Sequence, residues 1–155
     1  MASSNIRAVL EGLKTRLETI NATSPYTYDL SGADRVFIGE LIRPPQAPAV
    51  AVYPMDLISS HGEQLGRYRR QMTVQIQGWV RAETAKPMDR VLNAIDLLDD
   101  VVVCIETDRR LGGLIRDLIF GELRVLNGDE HGINGYGVFV TNLQVNWNAN
   151  SAGGV

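Results

Sequence analysis

Ile6, Val9, Leu10, Leu13, Leu17 and Ile20 fall three or four residues apart, the spacing that gathers side chains on one stripe of an α-helix. Ser3 or Ser4 stands where such a helix needs a cap, and the pattern predicts a helix running to about residue 21. Residues 21–25 are rich in chain breakers and predict a turn. The segments YTYDL and RVFIGEL that follow have the aromatic and β-branched content of short strands. Pro44, Pro45 and Pro48 permit neither a helix nor a central strand, so a loop precedes the apolar strand PAVAVYP.

Strict alternation then takes over in YRRQMTVQIQGWVRA. Met72, Val74, Ile76, Gly78 and Val80 point one way and are expected to face the core, while Thr73, Gln75, Gln77, Trp79 and Arg81 point the other. This second face is polar, nearly uncharged, and carries a tryptophan, whereas a solvated antiparallel face more often holds Lys and Glu. Either another surface covers Gln75, Gln77 and Trp79, or Trp79 is one of the isolated exposed aromatics that need no explanation. Upstream, Ser59, Ser60, His61, Gly62 and Gly66 mark the stretch between residues 54 and 67 as a long mobile loop or an extended hairpin arm. Connections of that length often engage partners, which makes His61, Glu63, Gln64 and Arg67 candidate partner contacts.

The segment PMDRVLNAIDLLDDVVVCIET is helical in pattern, with Pro87 suited to its first turn and Thr84 placed to cap it. At 100° per residue, Val91, Ile95, Leu98, Val102 and Ile105 form the central stripe, flanked by Leu92 and Val103 on one shoulder and Leu97 and Cys104 on the other. Asp89, Asn93, Asp96, Asp100 and Thr107 make the one continuous polar strip. This apolar arc is wider than one sheet contact requires, and each such side chain left in water forgoes roughly 1.5 to 3 kcal/mol of burial. Two layers or a neighbouring subunit are therefore expected to cover the helix, with Leu92, Leu97 and Val103 as the candidate contacts. After Gly112 and Gly113, LIRDLIFGELRVL is ambiguous by periodicity and is assigned a strand near 118–126. NGDEHGINGYG predicts an exposed loop, and YGVFVTNLQVNW a long strand with Phe139, Thr141, Leu143, Val145 and Trp147 on one face. The order is α, several β, α, β, β, which predicts one α+β domain over residues 1–148 and a flexible tail over 149–155.

Composition narrows the chemistry. At 155 residues and 45% hydrophobic, the chain has the size of one domain with a sizeable core. No apolar run approaches the roughly 20 residues needed to span a bilayer, and the N-terminus lacks the pattern of a signal peptide, so a cytoplasmic product is expected. Cys104, the lone cysteine, excludes an internal disulfide and falls within an apolar helix, where it reads as a small buried hydrophobe rather than a nucleophile. A net charge of −3 opposes tight binding of a phosphate backbone, and Arg67, Arg69 and Arg70 read as a solvated strand entrance.

His61 beside Glu63 and His131 beside Glu130 lie far apart in sequence and do not make a convincing metal site. Asp96, Asp99 and Asp100 read as a solvated helix surface rather than a paired-carboxylate site. GGLIRD and NGDEHGINGYG lack the Lys-Ser/Thr ending of a phosphate-binding loop. No enzyme activity, cofactor or metal is expected.

Several strings in this order resemble the tail terminator, or tail completion, family of long-tailed bacteriophages, also described as minor tail protein U-like. They are IRAVLEGLKTRL, RVFIGE, PAVAVYP, the strand ending in QIQGWVRA, the helix after it and YGVFVTNLQVNW, spanning residues 6–147. The resemblance implies a single mixed, mainly antiparallel β-sheet flanked by two α-helices. It also implies a homo-oligomer, a hexameric ring, that caps the tail tube, halts polymerisation of the tail tube protein and offers a docking surface to the head connector. DNA would pass through the ring without specific binding, and the protein would reside in the virion at the head-tail junction after assembly in the host cytoplasm. A neck or head completion protein, a tail tube subunit and, from another class, a small metal-dependent enzyme using His61 and His131 are the alternatives.

Overall fold

The computed structural model describes residues 5–39, 46–61, 67–81, 86–127 and 135–150. The opening helix, α1, spans Ile6–Leu17, and its cap is Asn5, whose Oδ1 accepts a hydrogen bond from the Ala8 amide at 2.7 Å. Ser3 and Ser4 lie outside the described residues. The helix also stops earlier than its apolar pattern suggests. The amides of Thr19 and Ile20 donate to the carbonyls three residues back, which tightens the last turn while still burying Ile20.

The segment read as the strand YTYDL is a turn instead. The Ala22 amide donates to the Tyr28 carbonyl, the Leu30 amide donates to the Ile20 carbonyl, and a lone bridge joins Asn21 to Asp29. The reason is tertiary: the amides of Thr27 and Tyr28 find acceptors on a helix side chain, so they need no neighbouring strand.

Among the described residues, five strands form one sheet in the order β1-β2-β3-β5-β4: β1 Val36–Ile38, β2 Ala49–His61, β3 Arg67–Arg81, β4 Asp117–Asn127 and β5 Tyr136–Asn150. Only the β1–β2 pair is parallel; the others are antiparallel. The fold is thus an α+β domain with a mixed, mainly antiparallel sheet and two helices. The alternation in β3 is realised as expected, with Met72, Val74, Ile76, Gly78 and Val80 all buried. In β5, Phe139, Thr141, Leu143, Val145 and Trp147 are buried on the same side. Pairing of β5 with β3 continues to Arg67↔Asn150, so residues 149 and 150 belong to the sheet and not to a tail. Residues 151–155 lie outside the described part.

The second helix, α2, spans Pro87–Thr107 and begins with Pro87 in its first turn; Thr84 lies outside the described residues. Both helices lie on one face of the sheet. α2 packs over β3, β5 and β4, and α1 over β1, β2 and α2. Leu10, Leu13 and Leu17 of α1, Leu97, Val101 and Ile105 of α2, and the buried sides of β2, β3, β4 and β5 form one continuous core.

Gly137 permits the close approach of α2 to the sheet, since the carbonyl of Arg90 sits against it, and within the sheet the ring of Phe139 on β5 fills the space that a Cβ on its cross-strand partner Gly78 would need. The stretch read as a loop or a hairpin arm is an arm, since β2 continues to His61 and pairs with β3 as far as His61↔Tyr68. β1 covers the outer edge of β2 only at Val50–Val52. Beyond that point, residues 53–61 have no strand beside them on the outer edge among the described residues.

Candidate assembly surfaces

Packing sets the rotation of α2, and the buried stripe is not the one the helical wheel centres on. Ala94, Leu97, Leu98, Val101, Cys104 and Ile105 are buried, which turns the helix toward its Leu97 and Cys104 shoulder. The small side chain of Ala94 marks where α2 comes closest to the sheet, beside Gly137. Leu97 is therefore a core residue with no exposed surface, and it is removed from the candidate interface.

The rotation leaves Met88, Leu92 and Ile95 exposed at 66%, 49% and 42%, and Val103 half-buried. Met88, Leu92, Ile95 and Asp99 are spaced four, three and four residues apart, so they share one stripe pointing away from the sheet. Ile95 sat in the predicted core stripe and Met88 in none. The signal that distinguishes the two arcs is side-chain size: the small residues Ala94 and Cys104 lie on the buried arc, Ala94 against Gly137 of the sheet and Cys104 against Arg16 of α1.

The sheet face opposite the helices carries a second, smaller cluster. Trp79 stands between Ala49 on β2 and Val138 on β5, and these residues, with Ala51, are buried beneath Phe37, Leu126 and Tyr136. Trp79 is fully buried within its own chain, so neither the open-interface reading nor the exposed-aromatic reading describes it. Small Ala49 and Ala51 make room for the indole on a face that sequence alternation marks as outward. Its Nε1 meets no acceptor among the described residues. Gln75 and Gln77 are half-buried on the same face, beside exposed Tyr53 on β2.

The arm exposes a second set of apolar side chains. Met55, Leu57 and Ile58 all face water, Ile58 at 60%. A bulge between Pro54 and Asp56 shifts the register of β2. It places Ile58 opposite Gln71 and, two positions along β3, diagonal to exposed Arg69. His61 ends β2 and Arg67 begins β3, while Glu63 and Gln64 lie outside the described residues.

The helix acids divide in a way the polar strip does not suggest. Asp96 and Asp99 are exposed, but Asp100 is only 4% exposed and is not part of a solvated surface. Both its carboxylate oxygens accept from the Thr27 amide at 3.0 Å, and one also accepts from the Tyr28 amide at 2.8 Å. Burial raises the Asp100 carboxyl above its ordinary value, with help from nearby Asp99 and Asp96, against the opposing pull of the two amides. A raised folded-state pKa contributes stability that is full below the unfolded value and is lost as pH rises through the folded value. Asp100→Asn removes that dependence, so wild type should gain on Asp100→Asn between pH 7 and about pH 4 in urea midpoints. Asp100→Ala, which leaves the part-buried Thr27 and Tyr28 amides without their carboxylate acceptor, should cost about 1 to 3 kcal/mol at neutral pH.

Cys104 is buried and free, its Sγ 3.1 Å from the Arg16 carbonyl. Among the described residues no group of three His, Cys, Asp or Glu side chains is placed to hold a metal ion, and His131 is outside them. No helix among the described residues is long and apolar enough to cross a membrane. The chain matches no protein-family model and no curated protein sequence. Among the described residues, exposed apolar side chains stand on α2 (Met88, Leu92 and Ile95), on the arm (Met55, Leu57 and Ile58) and on β4 (Ile119 and Leu123).

Proposed function

We propose that the chain is a structural protein of a phage virion, a tail terminator that closes as a ring on the end of the tail tube. The ring, a hexamer by the resemblance, stops addition of tube subunits and presents its far side to the head connector. One observation carries the reading: α2 has its core-facing stripe fully occupied and still exposes Met88, Leu92 and Ile95 on its other side. A helix that leaves such a stripe in water has a use for it in assembly. The sheet, the two helices and their order agree with what the resemblance implies. A net charge of −3 suits a channel through which DNA slides without sticking.

The test is tube assembly from a purified tail tube protein in the presence and absence of this chain, followed by electron microscopy. The expected result is rings in class averages of the chain alone or at tube ends, and tubes that stop elongating once it is added. Long tubes built by this chain itself would assign it to the tube instead, and tubes that elongate unchanged would overturn the reading.

A further inference from the structure

The sheet has two open margins. Among the described residues no strand lies beyond β4, and none lies outside residues 53–61 of β2. The ladder fixes which backbone groups turn outward there. The Val50 amide donates to the Arg35 carbonyl and the Val52 carbonyl accepts from the Gly39 amide, so the even residues of β2 before the bulge turn outward. Past the bulge, where Asp56 pairs with Thr73, the outward residues are Leu57, Ser59 and His61. The same alternation, carried across β3 and β5, turns Leu118, Phe120, Leu123 and Val125 of β4 outward. The Leu118 carbonyl accordingly accepts from Arg109 Nη2 at 2.7 Å.

The two margins fit each other. From β2 through β3 and β5 to β4 each strand is antiparallel to the next, so β4 runs opposite to β2. Because these four strands are even in number, the outward residues of both margins also carry their side chains on the helical face. Leu57 stands there beside buried Met72, and Leu123 beside buried Thr141. A β4 margin laid along the arm of another copy therefore pairs antiparallel, with the helices of both copies on one face. Leu57 and Leu123, each about half exposed, meet when set opposite one another. Pro54, which has no amide to donate, and the bulge beside it end the pairing on the β1 side.

We infer that the β4 margin of one copy adds to the β2 arm of the next, so that the sheet continues from copy to copy. An open row of N–H and C=O groups is matched by another extended edge, and this chain carries two such edges of matching direction and face. Pairing either margin with itself about a two-fold leaves the other open, whereas the head-to-tail contact closes both with every copy equivalent. The inference rests on the assembly reading above, names its contact and does not use the α2 stripe.

Two experiments on the full chain test it. Arg124→Cys is mixed under mild oxidation with Asp56→Cys, Leu57→Cys or Ile58→Cys carrying a size tag; buried Cys104 stays silent. Asp56 shares the helix-free face with Arg124 and stands opposite it when Leu57 meets Leu123, whereas Leu57 is on the helical face. The mixed adduct should be most abundant with Asp56→Cys and least with Leu57→Cys, the alternation of a strand pair. Self-adducts in excess, no adduct, or yields without alternation overturn the contact.

In the second experiment, Ser59→Pro removes an outward amide that β3 does not use, and should lower the assembled fraction about ten-fold by light scattering, as loss of one or two hydrogen bonds does. Ser59→Ala keeps that amide and should assemble like wild type. Equal behaviour of the two variants overturns backbone pairing, and should Ser59→Pro fail to fold, the adduct pattern decides. Tube capping is scored separately: alternating adducts with uncontrolled tube length retain the contact and overturn the terminator reading, while capping without adducts does the reverse.

Discussion

Gly137→Ala should lower the melting temperature by roughly 6 to 12 °C, the equivalent of about 3 kcal/mol for a domain of this size. Gly137 pairs with Val80 in the β3–β5 ladder and lies beneath the first half of α2. A Cβ there overlaps the carbonyl oxygen of Arg90 and crowds the Cβ of Ala94. The obstacle is helix backbone, which cannot rotate aside as a side chain can, so relief requires lifting α2 off the sheet. The same substitution at Gly78 meets only the ring of Phe139. That ring is buried but can shift within the core, so Gly78→Ala should cost less. Thermal melts of both variants check the order, and equal losses would mean that α2 does not approach Gly137 as closely as described.

Leu97→Asp should abolish folding at ordinary temperatures, while Leu92→Asp should leave the monomer folded and reduce assembly. The two residues are five positions apart on the same helix and share the same chemistry. Leu97 has no exposed surface in the core between α2 and the sheet, so aspartate there buries an unpaired charge and removes a well-packed side chain. Losses above about 4 kcal/mol follow from such changes, enough to consume much of a small domain's stability. Leu92 is about half exposed on the outward stripe, where a substitution typically alters monomer stability by about 0.5 kcal/mol or less. Circular dichroism reports the folding of each variant and light scattering its assembly. A folded Leu97→Asp monomer would contradict the rotation assigned to α2, and normal assembly of Leu92→Asp would remove the stripe from the interface.

Most of the architecture was legible in the residue pattern because the period of an element is local. The two-residue alternation of β3 identified its residues that face the helices, that of β5 gathered Phe139 to Trp147 on one face, and Pro87 marked the start of α2. The breaks occur where a distant group settles a local ambiguity. YTYDL has strand composition, yet the carboxylate of Asp100, more than seventy residues away, accepts its amides and holds a turn. Asp100 itself looked solvated because the wheel places it among Asp96 and Asn93; only the chain folding back over it buries it.

The candidate site was legible in part. Leu92 was marked correctly as a residue outside the central core stripe, whereas Trp79 and Leu97 were assigned outward and proved buried. For Trp79 the missing information is which residues flank it on adjacent strands. Ala49 and Val138 are far from it in sequence, and the β2–β3 and β3–β5 registers bring them to either side. For α2 the missing quantity is the rotation of a helix that is apolar around most of its circumference, and a hydrophobic pattern that broad has no sharp direction.

The sequence by itself determined the element order, the inward face of β3, which residues of β5 share a face, the buried state of Cys104 and the α+β class, since each follows from periodicity or composition within a short window. The tertiary structure decided which arc of α2 meets the sheet, that Trp79 is enclosed and Asp100 buried, and that Ile58 and Arg69 stand together on an arm opposite the α2 stripe. Those outcomes depend on strand register and interlayer distance, which arise from contacts between residues far apart in the chain and leave no local period to read.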